Sequence, residues 1–172
     1  MNNISFGKAR LSDSLRISIL LKVVYIQVYG VDGVTMEFAK FIEEKFSLEK
    51  IKTKINKRPD SLWVAYFKGN PIGIAEILIE SQCPIRRIEV PELGKLYVLE
   101  RFHGKSVGLG LLNLAQKSIL KKGLGELNLE VYKENKRAIA FYKKSGFQVL
   151  GEVDFPMETN TYRNLVMNKT LN

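Results

Sequence analysis

Metal-binding and disulfide chemistry are nearly absent from this chain, whose 172 residues include one cysteine, Cys83, and one histidine, His103. A single thiol cannot pair internally, and one histidine with one cysteine falls short of an ordinary zinc set. No metal is expected, and a reducing compartment, the cytoplasm, is the default. Long apolar runs are missing too. Ile17 to Tyr29 comes nearest, with Lys8, Arg10 and Arg16 ahead of it, but Lys22 and Gln27 interrupt it. No small-residue cleavage site follows, and the length falls short of a membrane span, so the segment predicts an ordinary buried helix. Internal repeats, low-complexity tracts and linkers are absent as well. With 45% hydrophobic residues, residues 1–172 are expected to form one domain able to bury a core without staples.

Acidic residues are in short supply: 18 Asp and Glu face 27 Lys and Arg, a formal charge of +9. That balance admits nucleic acid, an acidic membrane or a polyanionic small molecule as partner. The cations fall in two groups. Lys50, Lys52, Lys54, Lys57 and Arg58 line one stretch, for which a solvated helix face is the plain account. Lys105, Lys117, Lys121, Lys122, Lys133, Lys136, Arg137, Lys143 and Lys144 surround a glycine-rich turn and the elements C-terminal to it.

Periodicity sets out the elements. Ile4 to Arg10 reads as a strand, and Ser12 or Asp13 as the cap of a helix running to about Val28. A second helix starts near Thr35, and Ser47-Leu48-Glu49-Lys50 caps a third. Leu62 to Phe67 and Pro71 to Glu80 form a hairpin about Lys68-Gly69-Asn70. A long strand, Glu89 to Leu99, leads to a helix over Val107 to Leu120. Strands at Leu127 to Val131, Phe147 to Leu150 and Tyr162 to Lys169 come next, with a helix from Asn135 to Ser145 closed by Gly146. This order predicts an α/β fold with a mixed, mostly antiparallel central sheet and helices on both faces.

The turn His103-Gly104-Lys105-Ser106-Val107-Gly108-Leu109-Gly110 joins strand to helix. Small residues feeding a helix start aim several backbone N–H groups outward, where the positive end of the helix dipole favours an anion. The turn reads as a pyrophosphate cradle. It is neither a P-loop, since Gly-Lys-Ser/Thr is absent at that spacing, nor a Gly-x-Gly-x-x-Gly dinucleotide turn.

A second constellation, Asn135-Lys136-Arg137-Ala138-Ile139-Ala140-Phe141-Tyr142, opens the helix that Lys143-Lys144-Ser145-Gly146-Phe147 closes. With it the chain resembles the GNAT superfamily of acyl-CoA-dependent N-acetyltransferases. That family pairs an Arg/Gln-x-x-Gly-x-Gly/Ala turn after a long strand with an Asn-x-x-Ala-x-x-Phe-Tyr helix about thirty residues on. The turn departs at two places, with His103 for Arg or Gln and Ser106 for Gly. Val24-Tyr25, Phe46-Ser47-Leu48-Glu49-Lys50 and Glu92-Leu93-Gly94-Lys95-Leu96-Tyr97-Val98 are similar to bacterial spermidine/spermine N-acetyltransferases.

The resemblance implies acetyl transfer from acetyl-CoA, as co-substrate, to a primary amine by direct attack. The N–H groups of Gly104, Lys105, Ser106, Val107, Gly108 and Leu109 would hold the pyrophosphate, with His103 at the same turn. The Val98 backbone would pair with the pantetheine arm, and the Leu96 N–H would face the thioester oxygen. Tyr142 is expected as general acid, because a phenol of ordinary pKa about 10 is protonated at neutral pH. Asn135 is both a natural N-cap and a cofactor ligand by resemblance. Arg137 and Lys143 would reach the adenosine phosphates, although exposed helix cations are common. Glu92 lies four residues before Leu96, on one face of an alternating strand, and is expected as base, with Glu76 and water as alternatives. Tyr25, Tyr29, Trp63 and Tyr162 are pocket candidates, each of a kind more often found in core or rim than on a ligand. Asp32, Glu37, Glu43 and Glu44 are the carboxylates within reach in sequence for a polyamine.

Expected partners are therefore acetyl-CoA and a small-molecule or peptide amine, with a homodimer allowed, no membrane, and nucleic acid disfavoured. Two rivals are a CoA-binding sensor without turnover, which could dispense with Tyr142 and Glu92, and a basic nucleic-acid-binding protein. The latter would interleave aromatic residues with Arg and Lys on one face, which the chain does not. Cys83, in a turn-like stretch without a neighbouring histidine, gives little support to a covalent cysteine route.

Overall fold

The computed structural model describes residues 3–31 and 33–171. Seven strands form one sheet in the order β1-β2-β3-β4-β5-β7-β6: β1 Ile4–Lys8, β2 Leu62–Phe67, β3 Asn70–Leu78, β4 Glu92–Val98, β5 Glu126–Tyr132, β6 Gln148–Pro156 and β7 Thr161–Thr170. The pairs β1/β2, β2/β3, β5/β7 and β6/β7 are antiparallel, and β4/β5 is parallel. The α-helices among the described residues are α1 Ser14–Tyr29, α2 Met36–Lys45, α3 Leu48–Lys57, α4 Val107–Leu120 and α5 Lys136–Lys144. The α/β fold and its mostly antiparallel sheet match the expectation from sequence.

The chain divides into two compact units. The first runs to Glu76 and takes in Lys95–Ala115. Its helix starts reflect local chemistry: Thr35 Oγ1 accepts from the Phe38 N–H at 3.3 Å, and Ser47 Oγ from the Lys50 N–H at 3.4 Å, each meeting one of the N–H groups a helix leaves unpaired. Asp13, with Ser12 one of the two expected caps of α1, takes the N-cap position but makes no such bond. Its fully buried carboxylate instead takes Arg10 at 2.9 Å, the Tyr66 hydroxyl at 2.7 Å, and Arg16. Burial pushes the Asp13 carboxyl upward, but the Tyr66, Arg10 and Arg16 hydrogen bonds outweigh it and hold the group below its ordinary value. Burial and then Asp13 push the Tyr66 phenol up to about 12. Tyr25 anchors an aromatic cluster, its ring centroid 5.5 Å from Phe38, 5.5 Å from Phe41, 5.2 Å from Phe46 and 6.3 Å from Tyr97.

One expectation fails in this unit. The α1 segment is not buried all round: Ile17, Leu21 and Val24 are, whereas Leu15, Ile19, Val23 and Ile26 face solvent. Hydropathy alone cannot assign faces on a helix that is apolar on every side.

The second unit comprises Ile77–Gly94 and the chain from Gln116 onward. Leu127 and Leu129 of β5 and Val166 and Met167 of β7 are fully buried. Cys83, Val90 and Val166 form a core cluster against which Leu150 and Val153 pack. β4 begins three residues later than expected, because Gln82 and Glu89 form an isolated bridge and Val90 donates to the Ser81 carbonyl at 2.9 Å. β6 runs six residues past its expected end. Its polar residues sit on an exposed edge strand, shifted in register between Val149 and Gly151, and paired with β7 throughout.

Candidate functional site

The glycine turn lies in the first unit. The Leu99 N–H donates to the Ile72 carbonyl at 2.9 Å, fixing the end of β4, and a 3₁₀ turn over Glu100–Phe102 comes next. Gly104 at φ +72 and Ser106 at φ +59 then swing the chain into α4. The helix's first intrahelical bond runs from the Gly110 N–H to the Ser106 carbonyl at 2.9 Å. The N–H groups of Val107, Gly108 and Leu109 therefore have no intrahelical acceptor, as at any helix start. Gly104, Lys105 and Ser106 are exposed in front of them. This is the geometry of an anion cradle, with the helix dipole behind it.

Two glycines fit this turn to its unit. A Cβ on Gly110 would stand 2.5 Å from the Phe6 ring, and one on Gly73 would stand 3.0 Å from the Tyr97 carbonyl oxygen and 3.1 Å from Val98 Cγ2. Lys105 folds back, with Nζ 5.3 Å from the Phe102 ring centroid. The His103 imidazole also folds back, its Nε2 lying 2.8 Å from the Val98 carbonyl oxygen. His103 thus ties the turn to the strand whose backbone the family resemblance assigns to the pantetheine arm. That oxygen keeps a second lone pair. Leu96 and Val98 lie beyond Glu92↔Asn128, the register pair described for β4 and β5.

Glu76, the alternative base, is 2% exposed and holds two ammonium groups, Lys95 at 2.6 Å and Lys54. Burial pushes its carboxyl up, yet Lys95 and Lys54 outweigh this and keep it below the ordinary range. A carboxylate so occupied is a poor proton acceptor. Burial, and then the like charge of Lys95, lowers the Lys54 ammonium. Sequence reasoning misses this pair of lysines, since Lys54 counts there only as one of a cationic run.

The second unit holds the other group. Asn135 Oδ1 accepts from the Ala138 N–H at 3.1 Å and caps α5. Tyr142, 8% exposed, packs edge-on against Phe141 at 5.3 Å and Phe147 at 5.6 Å. Phe141 is the more exposed of the two. Arg137 and Lys143 are exposed on the same helix. Glu92 opens β4 and accepts from Ser81 Oγ at 2.6 Å. Glu130, which sequence reasoning passes over, accepts from Asn164 Nδ2 at 3.3 Å. Glu130 is an exposed residue, yet partial desolvation of its carboxyl, and secondarily the Glu92 charge, raises its pKa. The signal for it is alternation: Glu126, Asn128 and Glu130 share one face of β5. Cys83 is 1% exposed, and its Sγ accepts from the Arg86 N–H at 3.5 Å, which gives a nucleophilic role no support.

The remaining pocket candidates are largely spoken for within their own unit. Glu43 binds Lys22 at 2.7 Å, and Glu44 binds Lys50 at 3.0 Å. Trp63 lies under Lys8, and Tyr162 packs on Tyr132 at 5.7 Å. Asp32 lies outside the described residues. The cationic run on α3 is also partly neutralised, since Lys50, Lys52 and Lys54 pair with Glu44, Glu49 and Glu76.

A model of the GNAT acetyltransferase family matches residues 31–147. Over 113 residues the chain is 32% identical to a spermidine N(1)-acetyltransferase of Thermoplasma acidophilum, covering 63% of this chain and 66% of that protein. Over 106 residues it is 30% identical to an uncharacterized N-acetyltransferase of Methanocaldococcus jannaschii, covering 62% and 47% respectively. The chain thus spans about half to two thirds of the lengths of these relatives. Among solved structures, the PaiA N-acetyltransferase of T. acidophilum in complex with coenzyme A superposes with a TM-score of 0.78 at 24% identity, over 97% of this chain and 98% of that one. YncA of Salmonella typhimurium with acetyl-CoA gives 0.76 at 14% identity, over 99% and 95%. Both likenesses concern the fold. No described helix is long and apolar enough to cross a membrane.

Proposed function

Because this chain belongs to the GNAT acetyltransferase family, we propose that it moves the acetyl group of acetyl-CoA onto a primary amine by direct attack. The observation that carries the reading is the exposed turn at the head of α4, where Gly104 and Ser106 take positive φ and three N–H groups of the first helical turn lack an intrahelical acceptor. Such a cradle suits a pyrophosphate. The acceptor is read as a polyamine or another small or peptide amine, for which the spermidine acetyltransferase likeness is the support. The buried, unpaired Cys83 fits a cytoplasmic protein.

In this reading the N–H groups from Gly104 to Leu109 bind the pyrophosphate, and the Val98 backbone orients the pantetheine arm. The Leu96 N–H stabilises the oxyanion that develops when the amine attacks. Glu92, with Glu130 close enough to feel its charge, draws the amine proton directly or through water. Tyr142 reprotonates the leaving thiolate. Arg137 and Lys143 supply positive charge toward the adenosine phosphates, and Asn135 holds the start of α5.

Titration calorimetry with acetyl-CoA, followed by spermidine, spermine and a lysine-bearing peptide with thiol release monitored, tests the reading. Binding with release for one amine supports it and names the acceptor. Binding without release for any amine favours a sensor, and absence of binding overturns the cradle.

A further inference from the structure

A cavity of about 420 Å³ opens beside the edge strand β1, framed by residues 5–8, Arg10, Tyr66 and Gly69. Small-molecule sites begin at roughly 300 Å³. None of these residues belongs to the turn at the head of α4, and none is acidic. The carboxylate that holds Arg10 and Tyr66 is Asp13, which is fully buried and already shared. It accepts from Arg10 Nε at 2.9 Å, from Arg16, and from the Tyr66 hydroxyl at 2.7 Å. Two guanidinium groups on one carboxylate leave one positive charge in excess. Tyr66, its phenol pushed up to about 12, adds no negative charge to offset it.

We propose that this cavity is an anion site, taking the oxyanion group of a small molecule, a carboxylate or a phosphate monoester, on the Arg10 guanidinium and the open edge of β1. Arg10 supplies the fork. Its Cζ lies 5.1 Å from the Tyr66 ring centroid, so the guanidinium is supported on one side by the ring. Nε is the atom bound to Asp13. Apart from Asp13 and Tyr66 the group meets no acceptor among the described residues, and the side chain is 62% exposed. A guanidinium so placed binds an oxyanion through its planar array of donors. The strand supplies further donors. The Ala9 N–H donates to the Leu62 carbonyl at 3.0 Å and the Lys68 N–H to the Asn3 carbonyl at 3.4 Å, so the odd-numbered residues of this stretch turn their backbone groups toward β2. The N–H groups of Phe6 and Lys8 therefore lie on the free edge.

The same charges exclude other occupants. A cation finds no available carboxylate, because Asp13 is enclosed by its three donors. An apolar ligand would strip water from Arg10 and return no hydrogen bond. Lys8 adds little attraction of its own, since its Nζ is paired with Asp60 at 3.0 Å and lies 4.0 Å from the Trp63 ring centroid. Affinity therefore rests on Arg10 and falls as ionic strength rises.

Titration calorimetry on the full chain at low salt, with succinate and with glycerol 3-phosphate as probes, is the test. The expected result is one equivalent of at least one probe bound with a Kd near or below about 1 mM, and the probe that binds names the oxyanion. Arg10→Gln and Ser5→Glu should each weaken it at least about tenfold, with unchanged circular dichroism. Ser5 is exposed, and its replacement leaves the Asp13 hydrogen bonds intact while setting a carboxylate at the cavity. Lys57→Gln, which removes one positive charge elsewhere, should leave affinity unchanged. Binding of neither probe overturns the proposal, as does binding untouched by Ser5→Glu or weakened equally by Lys57→Gln. Saturation with coenzyme A is the last control: displacement of the probe would place it at the turn of α4 and overturn the site beside β1, whatever the outcome for acetyl transfer.

Discussion

Tyr142 sits between Phe141 and Phe147, so its ring is held by packing while its hydroxyl is the one atom that proton donation requires. Tyr142→Phe preserves the ring contacts and removes the donor. Turnover should fall about 100-fold, with acetyl-CoA affinity in calorimetry unchanged; loss of both together would show a packing role. Ser106 shows where sequence and structure meet at one residue. The motif comparison marks it as a serine where the family has glycine, and the structure supplies the reason the position matters, a φ of +59. Left-handed backbone costs an L-residue roughly 1–2 kcal/mol, part of which glycine's greater unfolded-state freedom cancels. Ser106→Gly should therefore stabilise the protein by about 0.5–1 kcal/mol, read as a rise in Tm. A fall in Tm would show that the serine side chain contributes more than the strain it carries.

At the scale of elements, helix starts were legible because capping is local: Thr35, Ser47 and Asn135 are read from sequence and each accepts the expected N–H. Asp13 reads the same way and is used differently, because Tyr66, 53 residues away, competes for its carboxylate. The close approaches at the end of β4 and the start of α4 were invisible in sequence. Gly73 reads as an ordinary strand residue, but a Cβ there would crowd the Tyr97 carbonyl oxygen at 3.0 Å and Val98 Cγ2 at 3.1 Å, which would have to give way. Gly73→Ala should cost about 1–3 kcal/mol by overpacking and weaken acetyl-CoA binding through displacement of the Val98 backbone. Denaturant unfolding and calorimetry would measure both, and a stable variant with normal affinity would disprove the tight fit. The length of β6 was hidden for another reason: an exposed edge strand needs no apolar alternation, so its pairing with β7 decides it.

For the whole molecule, the buried carboxylates set the response to acid. Asp13 and Glu76 both have folded pKa values held below ordinary. Their contribution is fully present above the unfolded value of about 4 and is lost as pH falls through the lowered folded values. Urea midpoints should accordingly fall as the pH drops below about 4, and Asp13→Asn should flatten that limb while lowering stability at neutral pH. An unchanged acid limb would mean that other groups carry it. By itself the sequence determined the order of strands and helices, the caps of α2, α3 and α5, the two motifs and the family they resemble, because each rests on neighbours within a few turns of chain. Only the tertiary structure decided which face of α1 remains exposed, that Glu76 is occupied by Lys54 and Lys95, and that His103 turns back onto Val98. Burial and charge pairing depend on residues distant in sequence, and no local pattern reports which partner a side chain meets.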